Sequence, residues 1–130
     1  ERVLFRRRPE GGLLGGLWEL PGAALAAGES PEPLAFRLAA TWAGGARLVS
    51  RLPRLDHAFT HRRMGYLPFL FRSAHRAHSR GGSSCFESNG ASFRWARLGS
   101  EVTALPLPAA QRKILGVAVG PWQGPGALEE

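Results

Sequence analysis

Five consecutive residues, Phe59-Thr60-His61-Arg62-Arg63, carry side chains suited to binding a nucleic acid. The Thr60 hydroxyl can both donate and accept a hydrogen bond, and His61 adds a ring with a donor and an acceptor. An aromatic side chain such as Phe59 can stack on a base or insert beside it, while two guanidiniums can neutralise phosphates. Plainer alternatives stay open, since Phe59 would also suit a core and Thr60 is a common strand former.

The overall charge favours the same kind of partner. The 130 residues include 17 lysines and arginines against 10 acids, which gives a net charge of +7 and an isoelectric point near 11.4. Such an excess is typical of proteins that bind phosphate-bearing partners, although an arginine-rich composition can also reflect a GC-rich genome. A basic turn at Arg6-Arg7-Arg8 is a second candidate for phosphate contacts or, equally, an ordinary solvated turn.

The cysteine and histidine content argues against a metal site. Cys85 is the single cysteine, so the chain can form neither an internal disulfide nor a cysteine-based cluster. His57 and His61 would lie about 13 Å apart along a strand, which is too far to share one ion. His75 and His78 could hold a metal together with Cys85, but solvated histidines explain them better. We predict no metal site.

These residues need elements to position them, and the apolar pattern predicts two helices among several strands. One helix begins at Ser30-Pro31 and ends before Gly44-Gly45, and the other covers residues 108–118. The strand through residue 61 would place Phe59 and His61 on one face and Thr60 on the other, and the junction at Arg62-Arg63 suggests a hairpin. Strands are predicted over residues 2–6, 46–52, 55–61, 64–71 and 93–98.

Two segments lack this order. Residues 73–92 are rich in Ser, Gly, His and Arg, which predicts a long flexible loop, and residues 120–130 form a Pro/Gly-rich tail. No apolar stretch is long enough to cross a bilayer. We expect an α+β protein, an α/β/α sandwich with a mixed β-sheet flanked by two helices. Residues 1–130 would form a single domain, and the start without a methionine suggests a fragment of a longer protein.

The first predicted helix and its approach resemble the signature of Nudix hydrolases, Gly-x5-Glu-x7-Arg-Glu-aliphatic-x-Glu-Glu-x-Gly. With Arg37 on the signature arginine, Glu29 and Gly44 fall on the upstream glutamate and the closing glycine. Gly22, the initial glycine, is displaced by one position. By residue type alone, Glu29 could simply favour the helix N-terminus and Arg37 could be a solvated side chain.

The metal chemistry of that signature is missing. Its three helix glutamates hold Mg²⁺, a cation that requires oxygen ligands. The corresponding positions here are Leu38, Thr41 and Trp42, and no acid lies between Glu32 and Asp56. The sequence therefore argues against hydrolysis of a pyrophosphate.

Three further blocks resemble the C-terminal domain of MutY-type adenine DNA glycosylases. Residues 13–22, which read LLGGLWELPG, resemble the block that opens that domain. Residues 56–61, DHAFTH, are similar to the family's His-x-Phe-Ser/Thr-His motif. Trp95, Leu105-Pro106 and the run RKIL at residues 112–115 resemble its closing part.

The resemblance implies a Nudix-like domain that recognises 8-oxoguanine in DNA opposite a misincorporated adenine. The family excises that adenine with an N-terminal domain that carries the catalytic acid and an iron–sulfur cluster. In this chain the implied lesion- and DNA-binding residues are Phe59, Thr60, His61, Arg62 and Arg63. The implied domain has no catalytic residue and no cofactor of its own, and we expect no glycosylase activity from it in isolation.

The implied partners are double-stranded DNA containing 8-oxoguanine opposite adenine, the N-terminal catalytic domain of the same chain, and repair or replication proteins, but not a membrane. The protein would be intracellular, in the nucleus and mitochondrion of a eukaryote or the cytoplasm of a bacterium. Two alternatives stay open. One is a divergent Nudix hydrolase of oxidised nucleotides, and the other is a protein-interaction module that docks through residues 73–92.

Overall fold

A computed structural model describes residues 2–11, 15–73, 85–88 and 90–119. Contacts divide the chain into two compact units. The first unit consists of Glu1–Pro21 and Arg76–Glu130, and the second unit of Gly22–His75. Within the described ranges, the helices are too short or too polar to traverse a lipid bilayer.

Eight strands and two helices are described. They follow in the order β1 (Arg2–Arg7), β2 (Trp18–Glu19), α1 (Pro31–Trp42), β3 (Ala46–Arg51), β4 (Leu55–Ala58), β5 (Arg63–Tyr66), β6 (Phe69–Ser73), β7 (Cys85–Ser88), β8 (Ala91–Arg97) and α2 (Ala109–Val119).

The first unit contains an antiparallel four-stranded sheet with the order β2-β1-β8-β7. Leu4 and Phe5 are both buried, although successive residues of a strand point to opposite faces. Side chains on both faces of β1 are therefore removed from water, as expected of an inner strand. The principal core cluster comprises Phe5, Ala96, Val102, Leu105, Leu107 and Leu115.

Helix α2 contributes to this core through one face. Ile114 and Leu115 on this face are buried. The buried Gln111 side chain accepts a hydrogen bond from the Leu20 N–H at 2.9 Å. This bond joins the glycine-rich segment to α2 and satisfies a polar group that would otherwise be costly to bury.

The second unit contains α1 and two antiparallel strand pairs. β3 pairs with β6, and β4 pairs with β5. Because β4 follows β3 and β6 follows β5, the two pairs are successive parts of one two-stranded ribbon, residues 46–73, which we call the ribbon. Between them the Leu52 N–H donates to the Pro68 carbonyl oxygen at 3.0 Å. Pro53 and Pro68 lack an N–H, which explains why the ladder is interrupted there.

Helix α1 packs against one face of the ribbon. The Phe36 and Phe71 rings meet edge to face, with centroids 5.3 Å apart, and Glu32 forms an ion pair with Arg51. The helix begins after Ser30 as predicted, but the Ser30 side chain makes no capping hydrogen bond. Pro31 at the first helical position supplies a preset φ instead. Gly45 has a φ of 73°, a left-handed conformation that suits the chain after a helix end.

The α+β class is confirmed by these sheets and two helices, but several boundaries differ from the prediction. Each described strand pairing is antiparallel, whereas we expected one mixed sheet. The strand predicted over residues 64–71 is wrong, because Leu67 and Pro68 divide it into β5 and β6. The hairpin predicted around Arg62-Arg63 is confirmed by β4 and β5.

The loop predicted over residues 73–92 is wrong in part. β7 pairs with β8, and the Phe86 ring stacks on the buried Phe93 ring with centroids 5.2 Å apart. A short strand forms within this mostly polar segment because Phe86 can pack against the partner strand beside it. Residues 74–84 and 89 of the predicted loop, and the tail at residues 120–130, lie outside the described residues.

Candidate functional site

The candidate residues 59–63 lie at the outer end of the ribbon, where the chain reverses direction between β4 and β5. The Phe59 N–H donates to the Arg62 carbonyl oxygen at 2.6 Å, which closes the turn. Thr60 and His61 form the tip between them, and both are exposed. A hydroxyl and an imidazole are therefore presented to solvent on adjacent residues.

The strand predicted over residues 55–61 is wrong beyond Ala58, where β4 ends. The predicted alternation, with Phe59 and His61 on one face and Thr60 on the other, does not apply in a turn. The separation of about 13 Å expected between His57 and His61 also assumed an extended strand. Within the described ranges, no group of three His, Cys, Asp or Glu side chains could hold a metal ion.

The Phe59 ring is held by contacts on two sides. The His57 ring meets it edge to face, with centroids 4.8 Å apart and an interplanar angle of 73°. The Arg62 guanidinium carbon lies 6.0 Å from its centroid, within the range of a cation–π interaction. Phe59 is half-buried and not sealed in a core. An aromatic ring is thus fixed next to the exposed hydroxyl and imidazole of the tip.

The arginines at the tip differ from the arginine just below it. Arg54 Nε donates to Asp56 Oδ1 at 2.9 Å, and the Arg54 guanidinium lies over Gly65, where a side chain would collide with it. Arg62 and Arg63 are exposed and form no ion pair with a carboxylate of the described residues. Two positive charges at the tip are therefore not neutralised by this part of the protein.

The other predicted phosphate contacts, Arg6, Arg7 and Arg8, lie in the first unit and have carboxylate partners. Arg6 Nη2 and Arg8 Nη1 each lie 2.6 Å from an oxygen of Glu19, whose residue is 7% exposed. Arg7 Nη2 lies 2.8 Å from Glu10 Oε2. These arginines hold the turn together, and their role as phosphate contacts stays a prediction.

The sequence did not single out Glu19 as the partner of these arginines, because it lies 13 residues from Arg6. It also did not single out Arg47 and Arg72, which face each other across β3 and β6. Arg47 lies between the apolar residues Ala46 and Leu48, which was a local signal that it points away from the apolar face. No sequence signal fixed the register that brings Arg72 opposite.

The residues that match the Nudix signature lie on and before α1. Arg37 Nη2 lies 3.5 Å from Glu29 Oε2, so these two positions contact each other rather than acting only as solvated charges. The Thr41 hydroxyl donates to the Arg37 carbonyl oxygen at 2.8 Å, and Leu38 and Trp42 are half-buried. The residues at the glutamate positions thus offer one hydroxyl, already engaged, and no carboxylate. This donor set does not fit a divalent cation.

Two blocks that are distant in the sequence meet in the first unit. The Trp18 N–H, in the glycine-rich block, donates to the Pro106 carbonyl oxygen of the Leu-Pro block at 3.2 Å. Trp18 and Leu20 also pack against the core cluster. Of the other candidate metal ligands, Cys85 is an exposed residue of β7, and His75 and His78 lie outside the described residues.

Comparison with known families agrees with the signature on α1. A family model described as the NUDIX domain matches residues 1–116, which is most of the chain. No match was found among curated proteins. On the extent of this match, the chain belongs to the NUDIX domain family.

Proposed function

We propose that this NUDIX domain is the lesion-recognition domain of a MutY-type adenine DNA glycosylase, and that it reads 8-oxoguanine opposite adenine. The observation that carries the proposal is the hairpin tip, where exposed Thr60 and His61 stand beside a ring held by His57 and Arg62. The three sequence blocks, two of which are joined by the Trp18–Pro106 hydrogen bond, support it. The α/β/α sandwich expected of such a domain stays a prediction.

The tip has the chemistry that this lesion requires. An 8-oxoguanine differs from guanine by a carbonyl at one carbon and a hydrogen on the adjacent ring nitrogen. The Thr60 hydroxyl can accept from that N–H or donate to that carbonyl, and His61 can do the same through its ring nitrogens. Phe59 supplies an aromatic surface for stacking, which is typically worth about 1–3 kcal/mol per base.

Arg62 and Arg63 would bind phosphates beside the lesion and hold the tip in register without reading sequence. The proposed partners are the duplex with 8-oxoguanine opposite adenine and the catalytic domain that carries the iron–sulfur cluster and excises the adenine. Repair or replication proteins are further proposed partners. This function would belong to the nucleus and mitochondrion of a eukaryote or to the cytoplasm of a bacterium.

The test measures binding of the 130-residue chain to duplexes with 8-oxoguanine or guanine opposite adenine, at two salt concentrations. We expect salt-sensitive binding to both duplexes and tighter binding to the lesion. Thr60→Val removes the hydroxyl at nearly constant shape and should reduce the lesion preference about 2- to 10-fold, as expected for one hydrogen bond. Binding to the undamaged duplex should be unchanged.

Thr41→Val is the matched control, because it makes the same chemical change at an exposed hydroxyl whose partner is the Arg37 carbonyl. It should leave the lesion preference intact. Binding that does not depend on salt, or a preference that survives Thr60→Val, would overturn the proposal. Mg²⁺-dependent hydrolysis of an oxidised deoxynucleoside triphosphate would overturn it in favour of a Nudix hydrolase.

A further inference from the structure

The hairpin below the tip has one exposed face that carries both an acid and a base. Asp56 of β4 is directly opposite Gly65 of β5, and Ala58 is directly opposite Arg63. These four residues share a face, because side chains of one face recur at every second residue of a strand. All four are exposed, whereas the other four residues of β4 and β5 are half-buried. A guanidinium and a carboxylate are therefore displayed on the same polar face.

Arg63 is close enough to Asp56 to form an ion pair with it. Arg63 lies two residues from Gly65, which makes it a diagonal neighbour of Asp56 across the hairpin. Such neighbours are about 7–8 Å apart, within reach of a long side chain. Arg63 nonetheless forms no ion pair with a carboxylate of the described residues. Another partner must therefore engage the Asp56 carboxylate.

That partner is Arg54. Its Nε donates to Asp56 Oδ1 at 2.9 Å, and the two side chains are 62% and 54% exposed. The Arg54 guanidinium lies over Gly65, where a Cβ would be only 2.6 Å from its Cζ. Because Gly65 has no side chain, Arg54 can lie on the exposed face beside the carboxylate that is opposite this glycine.

We propose that Arg54 is a positioning residue for the phosphate contact of Arg63. By pairing with Asp56, it prevents this carboxylate from pairing with Arg63 and from repelling the phosphate that Arg63 binds. The inference rests on the proposed function, in which Arg63 binds the DNA backbone. Arg54 itself needs no contact with DNA. Its influence should be equal on damaged and undamaged duplexes, since a phosphate carries no base information.

The test compares R54Q with R51Q. Each variant removes one positive charge and leaves one exposed carboxylate, Asp56 or Glu32, without its arginine. Affinity for an undamaged and a lesion-containing duplex is measured at about 50 and about 200 mM salt. R54Q should bind both duplexes about 2- to 5-fold more weakly at the lower salt, the size expected of an exposed ion pair. The loss should shrink at the higher salt through screening, and R51Q should lower the affinity less.

The decisive measurement repeats the substitution in a chain that lacks Arg63. R63Q alone should make the slope of log K against log salt shallower by about 0.9, because one phosphate is no longer neutralised. In the R63Q background, R54Q should weaken binding no more than R51Q does, since no Arg63 guanidinium is left to be withdrawn. An equal loss with and without Arg63 would mean that Arg54 acts directly or through net charge, and would overturn the proposal.

Two rescue variants complete the test. R54Q/D56N has the wild-type net charge and no competing carboxylate, so it should recover the wild-type affinity. R54K retains a cation that can pair with Asp56 and should also keep the affinity. A loss that D56N does not reverse would contradict the role assigned to Arg54. If R54Q does not fold cooperatively, Arg54→Met replaces it, since methionine keeps an uncharged stem over Gly65.

Failure of this inference is distinguishable from failure of the proposed function. Wild-type affinity in R54Q, together with a lesion preference and a shallower slope in R63Q, would retain lesion reading and reject the positioning role. An effect of R54Q that requires Arg63, in a chain without any lesion preference, would retain the positioning role and reject lesion reading.

Discussion

The arginines of the two units differ in what they contact, although the sequence presents them alike. In the first unit, Arg6 and Arg8 converge on the buried Glu19 carboxylate and help to hold β1 to β2. At the ribbon tip, Arg62 and Arg63 are exposed and have no carboxylate partner among the described residues. Two runs of adjacent arginines thus have different surroundings, and the run itself does not indicate which arginines are paired with a carboxylate.

This difference shows how a strongly basic chain can divide its charge. A guanidinium bound to a buried carboxylate contributes to folding and adds little to the field at a distance. A guanidinium without such a partner raises the local potential and attracts phosphates. Net charge alone therefore overstates the positive charge that is available to an anionic partner. Substitutions can separate the arginines that are paired with carboxylates from those that are not.

The largest expected effect is in the first unit. Glu19→Gln would leave the two guanidiniums beside a neutral, buried amide and should lower the free energy of unfolding by about 2–4 kcal/mol. Urea denaturation measures the loss. Glu10→Gln is the control, because Glu10 pairs with Arg7 at an exposed site and such pairs are worth about 1 kcal/mol or less. Equal losses in the two variants would contradict the structural role assigned to Glu19.

A second contrast concerns glycines beside these arginines. A Cβ at Gly15 would lie 2.8 Å from the Pro9 carbonyl oxygen, so the backbone of the turn would have to shift. We expect Gly15→Ala to cost about 1–3 kcal/mol of stability. Gly65→Ala would meet only the flexible end of Arg54 and should change stability by less than about 0.5 kcal/mol. Thermal melting measures the loss of stability in both variants. A larger loss for Gly65→Ala than for Gly15→Ala would contradict this expectation.

At the ribbon tip the expected effect is on binding and not on folding. R62Q/R63Q should make the salt dependence of DNA affinity shallower by about 0.9 for each phosphate that is no longer bound. Its cost in stability should stay near the roughly 0.5–1 kcal/mol of an exposed cation–π interaction, which here joins Arg62 to Phe59. Arg37→Gln, which removes a carboxylate-paired arginine, is the control. A large loss of stability, with no change in the salt dependence of DNA affinity, would show that these arginines stabilise the fold and do not bind phosphate.

The smallest effect is a pH dependence in the first unit. A hydrogen bond from the Arg97 backbone N–H, at 2.7 Å, and the charges of Arg97, Arg94 and Arg2 lower the pKa of Glu101. A carboxyl whose pKa is lowered in the folded state stabilises the fold at pH values above its ordinary pKa of about 4.3. This contribution disappears as the pH falls through the pKa of the folded state. Urea midpoints of Glu101→Gln should fall below those of the wild type at neutral pH and converge with them in acid, below the folded pKa. A gap that persists in acid would contradict this origin.

The sequence predicted the strands and helices whose apolar pattern is strong. β1, β3, α1 and α2 were found within one or two residues, because periodic apolar side chains reflect the face that each element buries. β7 was missed because it is short and lies in a segment rich in Ser, Gly, His and Arg, and because its stability comes from pairing with β8. The end of β4 was missed because Phe59 and Thr60 favour strands, and the turn contains no glycine, proline or asparagine to mark it.

The candidate site was predicted from its resemblance to a family motif, and residue type alone would not have selected Thr60 or given the geometry. The sequence identified Phe59, Thr60 and His61, yet their exposure follows from a turn that the sequence did not indicate. Likewise, it identified runs of arginines but not their partners, since the Glu19 contacts and the Arg47–Arg72 pairing depend on strand register. Register is a tertiary property, fixed by which faces of the strands are buried.

The interruptions of the ribbon also bear on aggregation. In the described part of the second unit, each ribbon strand pairs with a single partner, so its other edge has no strand beside it. Such edges normally invite intermolecular β-pairing and fibril growth. Pro53 and Pro68 present no N–H, and the bulge near Val49 breaks the spacing of the groups that remain. An incoming strand from another molecule would find no uninterrupted template, so the exposed edges of the ribbon are poorly suited to β-pairing between molecules.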